Sequence, residues 1–227
     1  MKIIVANWKM NGNFDLVDEF IRKINSANSE NKVVICPPAL LIGRFSQFHC
    51  DVGAQNCFWE ESGAFTGENS PRLLKECGCQ YVILGHSERR SIFHESDEVV
   101  YKKWKAATAQ KLIPITCIGE NLQDRKRWRD VIAKQLNPFL NESLRGAIFA
   151  YEPVWSIGTG TTPTHEEIES IFEFIRELLG DGVSLLYGGS VTSNNSAQIL
   201  KCRNVDGLLV GGASLKIDEF KKIICNG

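Results

Sequence analysis

A cation, an imidazole and a carboxylate stand at matching places in this sequence. Lys9 follows the apolar run IIVA at 3–6, with Asn7 just before it. His86, Ser87 and Glu88 follow YVIL at 81–84, and Glu152 follows AIFAY at 147–151. Cys117 lies near the end of IPITCI at 113–118, with Gly119 and Glu120 after it. A carboxylate can take a proton from carbon, an imidazole can polarise the neighbouring oxygen, and a fixed cation can stabilise the anion that results. Each residue alone has a plainer explanation: a solvated lysine, a structural histidine, a glutamate capping the next helix. Their recurrence at the same end of separate apolar runs argues for joint chemistry.

Two glycine pairs indicate the ligand. Gly188-Gly189-Ser190 follows SLLY at 184–187, and Gly211-Gly212 follows GLLV at 207–210. Without a Cβ, such segments bring backbone N–H groups close to an anion. Tight turns would explain one pair, whereas two pairs after the last two apolar runs favour a phosphate site. The segment YEPVWSIGTG at 151–160 has the composition of a lid. Pro153 stiffens its start, Val154, Trp155 and Ile157 can cover a ligand, and Gly158 and Gly160 permit unusual backbone angles.

These residues need elements to place them. Further short β-branched runs occur at 33–36 and 52–55, which makes eight. Continuous apolar character suits strands buried on both faces, as in parallel sheets. Between them lie stretches of helical period at 14–25, 97–111, 127–140 and 165–180, and the tight segment 37–51 has room for a short helix. Thr164 and Glu167 form a capping box, and Gly180 ends the helix that it starts. Eight such β runs admit a closed (β/α)8 barrel or an open doubly wound sheet. No G-x-G-x-x-G follows an early run, and no linker or low-complexity stretch divides residues 1–227. The pattern therefore predicts an α/β fold: a single (β/α)8 barrel domain with parallel strands and an outer ring of helices.

Composition narrows the classes of partner. Lys+Arg is 26 and Asp+Glu is 27, a net charge of −1, which argues against a nucleic-acid binder or a protein of anionic membrane surfaces. No apolar run approaches the roughly 20 residues that span a bilayer. The opening MKIIVANWKM is too short in apolar character for the core of an export signal, so a reducing cytoplasm is the expected compartment. The 8 cysteines then read as small apolar side chains. Cys77 and Cys79 hint at a metal, but no second pair answers them, and His49, His86, His94 and His165 are scattered.

The segments ANWKMNG (6–12), GAFTGE (63–68), LGHSERR (84–90), CIGE (117–120), YEPVWSIGTG (151–160), YGGSV (187–191) and LVGGASL (209–215) together resemble the triosephosphate isomerase family, in order and over almost the whole chain. The resemblance implies interconversion of dihydroxyacetone phosphate and D-glyceraldehyde 3-phosphate through an enediolate, in glycolysis and gluconeogenesis, with no metal or organic cofactor. It implies that Glu152 is the base, His86 the neutral electrophile, Lys9 the stabilising cation and Asn7 a positioning amide. Gly158, Ser190, Gly211 and Gly212 match phosphate-binding positions, and Glu88 and Cys117 match supporting ones. The helix that His86 opens disfavours an imidazolium. A homodimer is also implied, in which Thr66 of the GAFTGE loop reaches the partner's Asn7 and Lys9 region. The chain departs from the family in being shorter, around 121–145 and 161–183. It also carries Ser156 where Ala is commoner, and Thr161-Thr162-Pro163 after the lid. The alternative enzyme is another phosphosugar barrel, such as a pentose-phosphate epimerase or an indole-pathway synthase; the epimerase would need metal-binding His and Asp at strand ends, and only His86 is there. A silent phosphometabolite sensor would have no need of Glu152.

Overall fold

The computed structural model describes residues 1–24, 29–45, 51–159 and 161–226. Asn25, His49, Cys50 and Gly160, which figure in the reading above, lie outside the described residues. Eight parallel strands close in chain order into a barrel. They are β1 (Ile3–Asn7), β2 (Lys32–Cys36), β3 (Asp51–Ala54), β4 (Tyr81–Leu84), β5 (Ile113–Ile118), β6 (Ile148–Tyr151), β7 (Ser184–Tyr187) and β8 (Gly207–Val210). Their bounds differ from the expected runs by a residue or less at each end. Closure is made between β1 and β8, with Val5 opposite Leu209.

Continuous apolar runs are explained by burial on both faces. Val5, Ile83, Ile115, Ala150, Leu186 and Leu209 point into the barrel and fill it. Their neighbours Ile4, Val82, Phe149, Leu185 and Leu208 point outward and meet the helices. Side chains alternate with a period of two, so each strand serves two apolar layers.

The helices are α1 (Phe14–Ile24), α2 (Ala39–Phe45), α3 (Pro71–Glu76), α4 (Ser87–Ile92), α5 (Asp97–Ala109), α6 (Trp128–Leu136), α7 (His165–Leu179), α8 (Ser196–Ile199) and α9 (Ile217–Cys225). The capping box of α7 forms as predicted: Thr164 Oγ1 accepts from the Glu167 N–H and Glu167 Oε2 from the Thr164 N–H. Gly180 follows at φ 76°. The expected stretch 127–140 is interrupted. Its helix α6 stops at Leu136, and a short 3₁₀ turn runs from Asn137 to Phe139. Pro138 has no N–H to continue an α-helical ladder, which accounts for the break. No described helix is long and apolar enough to cross a membrane.

Cys36, Cys57, Cys79, Cys117 and Cys202 are buried free thiols, while Cys77 and Cys225 are exposed ones. Burial pushes Cys57 and Cys79 up to about 12, so both stay protonated and pack as apolar groups.

Candidate active site

Glu152 leaves the end of β6 and is buried. Its Oε2 accepts the backbone N–H of Ser87 at 2.8 Å. Its Oε1 lies 3.0 Å from His86 Nε2, an ion-pair contact whenever the ring is protonated.

His86 is the N-cap of α4. Its Nδ1 accepts the Glu88 N–H at 3.2 Å, so in the neutral ring the proton belongs on Nε2, the nitrogen beside Glu152. The electrostatics are more divided than the helix terminus alone suggests. Burial opposes a charged imidazole, but the nearby Glu152 and Glu88 carboxylates outweigh it, and His86 sits above the ordinary histidine value in this arrangement. The expected bias against the imidazolium is carried by the Nδ1 bond and by burial. Its chief opponent is the Glu152 charge.

Lys9 occupies the left-handed region at φ 53°, a conformation that disfavours any residue with a side chain. Two bonds hold it there. Gln55 Nε2 donates to the Lys9 carbonyl at 2.7 Å and to the Cys36 carbonyl at 2.9 Å. Asn7 Oδ1 accepts the Lys9 N–H at 3.0 Å. The ammonium then meets Glu88 Oε1 at 2.5 Å. Gln55 is absent from the sequence-derived set. It follows β3 as Asn7 closes β1, and examining the end of every strand would have found it.

A cavity of about 280 Å³ is lined by Asn7, Lys9, His86 and Glu152. Gly158, Ser190, Gly211 and Gly212 line the same cavity, with Gly211 lying against the Lys9 side chain, so the two predicted groups are brought together. The volume is at the lower edge of the roughly 300–1,000 Å³ typical of drug-sized ligands, as suits a small metabolite. Gly158 has φ 73° with open space around it, consistent with a conformational need for glycine. Gly189 has a different reason to be glycine: a Cβ there would lie 2.3 Å from Tyr187 Oη. Packing against that ring, as well as room for a ligand, excludes a side chain.

The segment after β6 is anchored at its start by Glu120, whose Oε1 accepts from Tyr151 Oη at 3.1 Å and from Trp155 Nε1 at 2.9 Å. Arg125 lies over the Trp155 ring at 4.0 Å and pairs with Glu167 at 2.7 Å. Burial raises Glu120 above the usual carboxylate value against the opposing effect of those hydrogen bonds.

Cys117 is fully buried inside the barrel. Burial first, and then the Glu152 charge, push its thiol well above the ordinary range, so it faces Glu152 uncharged. Thr66 is not brought to the cavity. It lies in the loop of residues 60–69, every one of which is exposed.

The family model described as triosephosphate isomerase matches residues 2–226. A triosephosphate isomerase of Alkaliphilus metalliredigens is 42% identical over 98% of both chains. One of Clostridium tetani is 42% identical over 98% of this chain and 95% of the relative. One of Francisella tularensis subsp. mediasiatica is 41% identical over 98% and 96%. The alignments run over 242 to 244 positions against 227 residues here, so they open gaps in this chain. With matches of this extent, and with a closed eight-stranded barrel beneath them, the chain belongs to the triosephosphate isomerase family.

Proposed function

We infer that this protein interconverts dihydroxyacetone phosphate and D-glyceraldehyde 3-phosphate through an enediolate, the step that joins the two trioses in glycolysis and gluconeogenesis. The observation that carries the reading is the Glu152 carboxylate, buried 3.0 Å from His86 Nε2 in a cavity that also holds Lys9. A proton α to a carbonyl is weakly acidic, and a carboxylate removes it only where the developing oxyanion is stabilised.

In this account Glu152 gives up the Ser87 N–H and its place beside His86, takes the proton from one carbon and returns it to the next. That movement takes away the main charge holding His86 up, so the neutral ring presents Nε2–H to the substrate oxygen. Lys9 stabilises the enediolate and the phosphate alike, Asn7 orients the substrate, and Glu88 holds the Lys9 ammonium. Cys117 faces the base as an uncharged thiol. The N–H groups of Gly158, Ser190, Gly211 and Gly212 bind phosphate, and the segment from Val154 onward closes over it, excluding water and suppressing phosphate elimination.

We read residues 1–227 as a single domain that works in the cytoplasm as a homodimer. Support for the dimer lies in the exposed loop of residues 60–69 and in the apolar Met10 and Leu40, which are 95% and 92% exposed. A second cavity of about 350 Å³ runs between Lys9, Met10 and Glu88 and this chain's own Gly67, Glu68 and Asn69, beside the place where a partner's loop would enter. A coupled assay that turns over D-glyceraldehyde 3-phosphate in the presence of EDTA tests the activity. Turnover unaffected by the chelator is expected, and absence of turnover in folded protein contradicts it.

A further inference from the structure

Ser156 has no exposed surface, although it stands in the segment that would cover the ligand. A buried hydroxyl has to be bonded, and the bonds it makes show its use. Its Oγ donates to the Thr161 carbonyl at 2.5 Å, which ties together two ends of the turn that carries Gly158. Thr159 reinforces the tie: its Oγ1 donates to the Ser156 carbonyl at 3.1 Å and accepts the Thr161 N–H at 3.2 Å.

The single hydroxyl proton of Ser156 is thus spent, and only lone pairs remain. One donor faces them. The Ser190 N–H lies at 3.5 Å, a long bond. The buried Tyr187 hydroxyl lies beside the same group. Ser156 therefore stands where the covering segment meets the loop after β7, on the N–H assigned above to phosphate.

We propose that the Ser156 hydroxyl and the substrate phosphate are alternative acceptors for the Ser190 N–H, so that Ser156 latches the segment in its ligand-free position and releases it as phosphate arrives. The proposal rests on reading Ser190 as a phosphate donor. A phosphate dianion makes a shorter, charge-assisted bond than a neutral hydroxyl at 3.5 Å, so the exchange runs toward the ligand. Ser156 touches no reacting atom, and its role is positioning.

Amide NMR of the full chain, titrated with inorganic phosphate, compares the wild type with Ser156→Ala. Without phosphate, the Ser190 amide proton should lie upfield in the variant, having lost its acceptor. At saturation the two proteins should coincide, since phosphate is then the partner in both. Phosphate should bind the variant about two- to tenfold more tightly, the range of one net hydrogen bond no longer displaced. Coincident free-state shifts, or an affinity equal to or weaker than wild type, overturn the latch. If phosphate moves the Ser190 amide in both proteins but with equal affinity, only the competition falls. If it fails to move that amide in the wild type, the phosphate reading of Ser190 falls and the latch with it.

Discussion

The two sides of the cavity are built on different principles. On the proton-transfer side, side chains do the chemistry and the backbone holds them. The Ser87 N–H holds Glu152 at rest until it moves to the substrate, the Glu88 N–H fixes His86, and Gln55 and Asn7 hold Lys9 at φ 53°. On the opposite side the roles are exchanged. The expected ligand groups are backbone N–H groups, and the side chains of Ser156, Thr159 and Glu120 hold the segment that carries one of them. A reaction coordinate requires charges fixed to fractions of an ångström, which strand ends provide. Capture and release of a ligand require a segment that can move as a unit, which a self-bonded turn provides.

Substitutions on the first side should therefore act on rate, and those on the second on binding, product fidelity or stability. The largest effect is expected at the base. Glu152→Gln keeps the size and the acceptor for the Ser87 N–H but not the basicity. Its kcat should fall by at least the roughly 10²–10⁴ of general acid–base catalysis, while affinity for inorganic phosphate stays near wild type. Next is Lys9→Met, which removes a charge that serves substrate and enediolate together. A loss of roughly 10²–10³ in kcat/KM is expected, shared between a lower kcat and a higher KM. A rise in KM alone would make Lys9 a binding residue and blur the contrast between the two sides.

Deleting residues 156–159 breaks the second side while leaving Glu152 and His86 in place. The enediolate is then exposed to water, and the ratio of methylglyoxal to isomerised product should rise. An unchanged ratio with high turnover would reduce the segment to a rim. The smallest effect concerns Glu120, raised by burial. A carboxylate whose folded value is raised binds more protons folded than unfolded, so its contribution is fully present below the unfolded value and is lost as pH climbs through the folded one. Glu120→Gln retains the acceptor for Trp155 and removes the titration. The thermal midpoint of the variant relative to wild type should therefore increase from pH 4 to pH 7, as read by calorimetry, and a flat difference contradicts the assignment.

The strands were legible because burial on both faces writes itself as unbroken apolar runs, and the capping box of α7 is a local signal. The candidate set was legible for a related reason: polar residues just beyond those runs share one end of the barrel. Gln55 was missed because a glutamine after a strand carries no local mark of its job, which is to hold a backbone carbonyl 46 residues away in sequence. The charge balance on His86 depends on Glu152, 66 positions distant along the chain, so the helix terminus alone misjudged it. Gly189 reads as a ligand contact until the Tyr187 ring is seen against it. The interruption of the 127–140 stretch was foreshadowed by Pro138, whose missing N–H the helical period had outweighed.

The central claim is that the Glu152 carboxylate carries a proton between adjacent carbons. Turnover of D-glyceraldehyde 3-phosphate in D₂O, followed by proton NMR, tests it directly. Once the abstracted proton exchanges on the carboxylate, the ketone should form with deuterium at C1, and Glu152→Gln should lose isomerisation and deuterium incorporation together. Wild-type isomerisation or undiminished deuterium incorporation in Glu152→Gln would contradict the account.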